Sequence, residues 1–405
     1  VFNVRDRREH GRKRKIIAHA FSPGAVHAFE GHMSENLHRW VQQLDRIAQS
    51  PLPGHSHAKM DMMPWCTYLA FDVIGDLAFG ASFGMVAKGR DECESQPHPD
   101  GPITITTGAE TLNRRGEVSS TLGLLPALRP FAKYMPDPFF SKGLQSVSNL
   151  QGIAEVAVSR RLELAKNNDS ASKNRRDILQ MLVEAKDASG QPMPRQELLS
   201  EALTELIAGS DTVSNTACAI FYWILDAERK APGAIVSRLR AELDAAIPAD
   251  ADIALFSQVK NLPFLHRCID EAMRLHSTSA IGLPRIVTSP EGITYNNRVY
   301  SAGTVLSVPS YTIHHDAAVW GDDVEEFKPD RWLKENLTPR QALCFNPFSY
   351  GPRACVGQNV ARMELSLIVG TAFHRYDFEL YQETLESHEG FSKKPDECWL
   401  GISRR

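Results

Sequence analysis

The stretch 348–369, FSYGPRACVGQNVARMELSLIV, sets one cysteine, Cys355, between two glycines and directly before a run whose apolar residues recur at threes and fours. Gly351 and Gly357 let the backbone turn tightly around the sulfur. The helix that follows aims its N-terminal dipole back at Cys355, an arrangement that favours a thiolate. Backbone N–H groups of such a loop can donate to the sulfur, and Arg353 supplies a cation for an anionic group. Most lone cysteines, however, are small buried hydrophobes. Taken alone, the loop reads more simply as a structural cysteine in a Gly-rich turn, so the rest of the chain has to decide.

The 405 residues carry 45 Lys and Arg against 49 Asp and Glu, a formal charge of −4, with 23% charged and 42% hydrophobic residues. These are ordinary values for a globular protein, and nothing in them points to nucleic acid. Length alone suggests two or three domains, but no linker divides the chain, so a single domain over 1–405 is expected. The seven cysteines are scattered and show no C-x-x-C or zinc spacing, which fits a reducing compartment. His55 and His57, and the pair His314 and His315, lack further ligands at helical spacing and read as ordinary residues. TYLAFDVIGDLAFG (67–80) and AIFYWIL (219–225) are too short or too charged to span a bilayer. Because the chain begins at Val1, an N-terminal portion, with any signal or anchor, is expected to precede it.

Helical periodicity covers 25–48, 65–80, 151–166, 196–229, 234–246, 263–276 and 358–376. GITYNNRVY (292–300) and AGTVLSVPSYTIHH (302–315) have the β-branched and aromatic content of short strands. The fold class is therefore mainly α with small sheets. Residues 90–102 and 168–176 read as solvated loops.

Three further features stand out. In 208–212, AGSDT, Asp211 and Thr212 interrupt the apolar face of a long helix, which is costly unless they are solvated or used; the plain account is a Thr bonding back to its own helix. Glu271 and Arg274 form an i,i+3 pair that on most helices adds at most about 0.5 kcal/mol. Seven Arg or Lys lie among positions 5–15, on an amphipathic helix.

The pattern Phe348-x-x-Gly351-x-Arg353-x-Cys355-x-Gly357 resembles the haem-binding loop of the cytochrome P-450 family, with five fixed residues in ten positions. The other features resemble that family in the expected order along the chain. The resemblance implies a helical bundle around haem b, Cys355 as the axial thiolate of the iron, and His10, Arg14, Arg285 and Arg353 as contacts to its propionates. It implies that AGSDT belongs to the oxygen-activating helix, with a small residue and glycine leaving room for O2 and with Asp211 and Thr212 relaying protons. It also implies that Glu271, Arg274 and Arg331, from FKPDRW (327–332), form a buried structural network; a half-satisfied pair there is strongly destabilising. Arg12, Lys13 and Lys15 are then left to dock an acidic electron donor.

No dinucleotide or P-loop motif is present, so the resemblance implies a separate NADPH-cytochrome reductase. The resemblance implies that the family's N-terminal part lies outside this chain, and the expected location is the cytoplasmic face of the endoplasmic reticulum membrane, through an anchor in that part. LNRRGEVSSTLG (112–123), YMPDPFF (134–140), RLHSTSAIGLPR (274–285) and VLSVPSYTIHHD (305–316) resemble one branch, the fungal benzoate para-hydroxylases. That branch implies a small aromatic acid substrate, with Ser277, Thr278 and Ser279 as polar anchors. The alternatives are a monooxygenase acting on a larger natural product or xenobiotic, and an inactive haem-binding fragment.

Overall fold

The computed structural model describes residues 1–51, 53–98, 100–166, 175–186 and 190–405. Its longer helices are α1 (Arg7–Ala18), α2 (Glu30–Ala48), α3 (Met62–Phe79), α4 (Gly108–Leu124), α5 (Pro138–Lys166), α6 (Arg195–Lys230), α7 (Val236–Ala246), α8 (Pro263–Leu275) and α9 (Gln358–Arg375). The strands are β1 (Ala58–Asp61), β2 (Cys93–Ser95), β3 (Thr104–Thr106), β4 (Arg285–Ile286), β5 (Ile293–Tyr295), β6 (Arg298–Tyr300), β7 (Val305–Leu306), β8 (Tyr376–Leu380), β9 (Ser387–Glu389), β10 (Lys393–Pro395) and β11 (Trp399–Arg404). Among the described residues they form one antiparallel sheet, β1–β11–β8, and the ribbons β2–β3, β4–β7, β5–β6 and β9–β10.

The core is a stack of helices buried nearly all round, the pattern of a helix with neighbours on every side. In α3 almost every residue from Cys66 to Phe79 is buried; Asp61 caps its start by accepting from the Met63 N–H, and Gly80, at φ +81°, ends it. α9 is buried from Met363 to Phe373. α6 spans about 54 Å at 1.5 Å per residue and is buried without interruption from Val213 to Tyr222. A Cβ at Gly209 of α6 would stand 2.7 Å from Ile74 Cδ1 of α3, so glycine is what lets these two helices approach.

Several expectations change. The run 25–48 divides into a short turn, Pro23–His27, and α2. The periodic segment 151–166 is the second half of α5, and α4 has no counterpart in the sequence reading. GITYNNRVY forms the β5–β6 hairpin, turning through Asn296 and Asn297 at φ +49° and +60°, as a two-residue turn of the primed type requires. AGTVLSVPSYTIHH, whose composition is that of short strands, is strand only at β7. After Pro309, Ser310–His314 is helical, and the Trp320 indole N–H donates to the Ile313 carbonyl at 2.9 Å. Tertiary contact overrides the β-branched composition there. The loop 90–102 contains β2, and 168–174 of the second expected loop lies outside the described residues.

Candidate functional site

The residues before α9 fold into a compact loop. Ser349 and Gly351 both take positive φ, +59° and +74°, Gly351–Arg353 forms one 3₁₀ turn, and the Cys355 N–H donates to the Phe348 carbonyl at 2.8 Å. The loop is braced from two sides: Arg14 Nη1 of α1 donates to the Ala354 carbonyl at 2.8 Å, and the Arg362 guanidinium lies 5.2 Å from the Phe348 ring centroid. Of the seven cysteines, Cys355 alone is exposed. Even so, burial pushes its thiol up, against the Gly357 N–H and the Arg14 guanidinium, which pull it down, and the net direction is up. The residue is thus exposed while protein surrounds its sulfur closely enough to disfavour the charged form. In the protein alone, desolvation thus opposes the thiolate that the loop's N–H groups and nearby cations favour.

Around that loop stands a cluster of bases. Burial lowers the buried His10 of α1, and the nearby Arg353 and Arg14 lower it further. Arg353 is itself lowered by burial and then by Arg285. No carboxylate is among the groups acting on either residue, and among the described residues the Arg353 side chain has no hydrogen bond or ion pair. Among the described residues the Arg285 side chain donates only to the neighbouring Leu283 and Pro284 carbonyls, at 3.4 and 3.0 Å. Like charges held together without an acid make a site for an anion.

Across from the loop runs the middle of α6. Ala208 is exposed in the interior of this long helix, with Gly209, Asp211 and Thr212 half-buried beside it. The Thr212 hydroxyl donates back to the Ala208 carbonyl at 2.6 Å. Asp211 turns elsewhere: its Oδ2 accepts from the Ser392 hydroxyl, beside the β9–β10 hairpin. The structure therefore gives the two side chains different partners rather than a hydrogen bond to each other. Gly209 answers to Ile74, so the space beside the helix is left by Ala208. One turn earlier, Glu205 was missed in the sequence reading; burial, with Glu201 adding to it, pushes its carboxyl up to about 8, and Cys355 feels its charge.

The profile of the cytochrome P450 family matches residues 1–397. This chain is a cytochrome P450. It is 49% identical over its whole length to a benzoate 4-monooxygenase of Aspergillus niger, covering 77% of that protein. It is 28% identical to a cytochrome P450 monooxygenase of Penicillium oxalicum, over 93% of this chain and 68% of the relative. A cytochrome P450 monooxygenase of Aspergillus flavus is 26% identical, over the full chain and 76% of the relative. The haem that the family implies fits the residues present: one accessible sulfur in a braced loop for the iron, and the group His10, Arg14, Arg285 and Arg353, none of which has an ion pair among the described residues, for two carboxylates.

The P450's ion network is complete. Arg274 grips Glu271 with two bonds, Nε to Oε2 at 3.0 Å and Nη2 to Oε1 at 2.8 Å, both residues fully buried. Glu271 also accepts from Arg331 Nε at 3.3 Å, the Lys328 N–H at 3.1 Å and the Trp332 indole at 3.0 Å. The neighbouring Ser277 is not free to anchor a substrate: it is buried, with its Oγ 2.6 Å from His314 Nδ1. His314 Nε2 accepts from the Asn346 N–H at 3.0 Å, so Nδ1 carries the proton and donates to Ser277. Burial, with Arg274 beside it, holds that imidazole near 4, hence neutral. Thr278 shares a 2.9 Å hydrogen bond with Thr216 of α6. Ser279 is exposed, with no hydrogen bond from its side chain among the described residues.

The basic run is likewise partly committed. Arg12 donates to Glu9 at 2.7 Å and to Glu197 at 2.9 Å, and Lys13 pairs with Glu197 and Glu201 at 3.3 Å. Both cations are thus already paired within the chain. Lys15, together with Arg5 and Arg8, is exposed and without an ion pair among the described residues.

Proposed function

We propose that this P450 hydroxylates benzoate at the para carbon to give 4-hydroxybenzoate. The observation that carries this reading is the 49% identity to the Aspergillus niger benzoate 4-monooxygenase, sustained along the whole chain rather than confined to the cysteine loop. In this reading Cys355 Sγ holds the iron, and His10, Arg14, Arg285 and Arg353 hold the haem carboxylates. Bound there, haem would supply the activation of O2, and thiolate ligation by Cys355 would favour that chemistry.

The chain's own part is positioning and proton handling. Thr212 Oγ1 keeps its proton on the Ala208 carbonyl at 2.6 Å, leaving its lone pairs to accept from water. Swinging that proton from the carbonyl toward the pocket, as water replaces it, is the relay step. Asp211 contributes through Ser392: the bond fastens the β9–β10 hairpin to α6 and helps exclude bulk water. One oxygen atom of O2 enters the ring C–H bond and the other leaves as water, with the electrons delivered by an NADPH-cytochrome reductase. Arg5, Arg8 and Lys15 form the basic surface for that acidic partner, on the α1 side that Arg14 ties to the cysteine loop.

The test is a titration of the haem-loaded protein with benzoate, toluene and a bulky steroid at the Soret band, followed by product identification with reductase present. A spectral shift with benzoate and 4-hydroxybenzoate as the product are expected. No benzoate shift, a shift no stronger than that with toluene, or oxidation at another position would refute the reading.

A further inference from the structure

We infer that Arg115, on α4, is the carboxylate anchor of the substrate pocket and thereby decides which ring carbon is presented for oxidation. The inference takes its ligand class, an aromatic acid, from the function proposed above. It locates the anchor away from Ser277, which His314 occupies.

The argument begins with where α4 lies. Leu112 packs in one cluster with Ala202 and Leu206 of α6. Asn113 Oδ1 accepts from Lys394 Nζ of β10 at 2.9 Å, and a Cβ at Gly116 would stand 3.6 Å from Phe391 in the hairpin turn. The same hairpin is held to the middle of α6 by Ser392, bonded to Asp211 and to Asn215. α4 and the hairpin thus roof the stretch of α6 that carries Ala208 and Thr212. Positions 112, 115, 116 and 119 share one helix face, so Arg115 belongs to the face turned toward α6 and the hairpin.

What sets Arg115 apart is the lack of a counterion. It is half-buried, yet among the described residues no hydrogen bond, ion pair or ring contact involves it. Burial alone pulls its guanidinium below the ordinary value, with no acid to offset that. The cations beside it are provided for: Arg114 is exposed and pairs with Glu117 at 3.2 Å, and Lys394 has Asn113 and the charge of Asp211. A guanidinium withdrawn from water and left unpaired is unfavourable until an anion arrives. A carboxylate matches its planar fork with two parallel bonds. A neutral analogue of the same shape would leave it unpaired.

The test uses the haem-loaded protein and three variants, Arg115→Gln, Arg115→Lys and Arg114→Gln. Dissociation constants for benzoate, benzamide and toluene are read from the Soret shift, and melting temperatures are taken with and without benzoate. Arg115→Gln should weaken benzoate by roughly ten- to a hundredfold, leave toluene unchanged, and melt without ligand no lower than the parent, since it removes an unpaired charge. Arg115→Lys should recover part of the loss, and Arg114→Gln should bind as the parent does. Unchanged benzoate affinity in Arg115→Gln, an equal loss in Arg114→Gln, or a lowered ligand-free melting temperature would overturn the anchor. If the parent ignores benzoate but binds another carboxylic acid, the benzoate reading fails and the same variants, titrated with that acid, decide the anchor. If the parent prefers no acid over its neutral analogue, the anchor fails as well.

Discussion

Glu271→Ala and Arg331→Ala remove opposite ends of one network, and the geometry says they should not be equally harmful. Removing the Glu271 carboxylate withdraws five hydrogen bonds at once, from Arg274 (two), Arg331, Lys328 and Trp332. Arg274, with no exposed surface, keeps only the His314 and Glu326 carbonyls and is left as a buried charge without an anion. Such a loss costs about 3–5 kcal/mol. Removing Arg331 leaves Glu271 still gripped by Arg274 and bonded to Lys328 and Trp332. What is lost besides the 3.3 Å bond is the set to Trp320 and Asp323, worth about 1–2 kcal/mol net. The gap of about 2–3 kcal/mol translates into a difference of roughly 0.5–1 M in urea midpoint, given slopes near or above 3 kcal/mol/M for a chain this long. Urea titration by far-UV circular dichroism, with the Soret band followed in parallel, measures it. If Arg331→Ala unfolds at the same or lower urea than Glu271→Ala, the division of roles drawn from these bonds is wrong.

Cys355→Ser should abolish the thiolate-type spectrum of the reduced, carbon-monoxide-bound protein while serine at each of the other six cysteines preserves it; a retained Soret position in Cys355→Ser refutes the ligand assignment. Thr212→Ala should bind haem normally but divert electrons to peroxide, because it removes the hydroxyl held at 2.6 Å from the Ala208 carbonyl; unchanged coupling of electron use to product would exclude the relay. Gly209→Ala should cost about 1–3 kcal/mol of stability, because its Cβ meets the Ile74 side chain at 2.7 Å. A variant as stable as the parent with impaired coupling would instead return Gly209 to the oxygen side of the helix.

What could be read from the sequence was local. The cysteine loop needs only two glycines, one arginine and the start of a helix, all within ten residues, and Glu271–Arg274 is an i,i+3 pair on a strongly amphipathic helix. Where a function depended on a distant partner, the sequence was silent. Glycine at 209 looks like room for a ligand until Ile74, 135 positions away, is seen against it. Ser277 looks available until His314 is found at 2.6 Å. α4 escaped notice because GAETLNRRGEVSSTLGL is rich in glycine and small polar residues with low helix propensity; the helix exists because α5, α6 and the hairpin hold it.

The pair Asp211 and Thr212 shows how far elementary geometry reaches. Asp211 and Thr212 stand three and four residues after Ala208, so spacing makes both its neighbours, and it is the hydrogen bonds that separate them: Thr212 donates to the Ala208 carbonyl and Asp211 accepts from Ser392. The structure supplies the reason the acid is retained beside it: its partner is Ser392, and through Ser392 the hairpin is fastened to α6 while Asn113 and Gly116 of α4 rest on that same hairpin. In the function proposed here Asp211 thus serves as a clasp on the pocket roof, and the roof is where the unpaired guanidinium of Arg115 sits. Loosening the clasp, as Asp211→Ala would do, should therefore weaken benzoate binding and admit water together, whereas Thr212→Ala should disturb proton delivery alone.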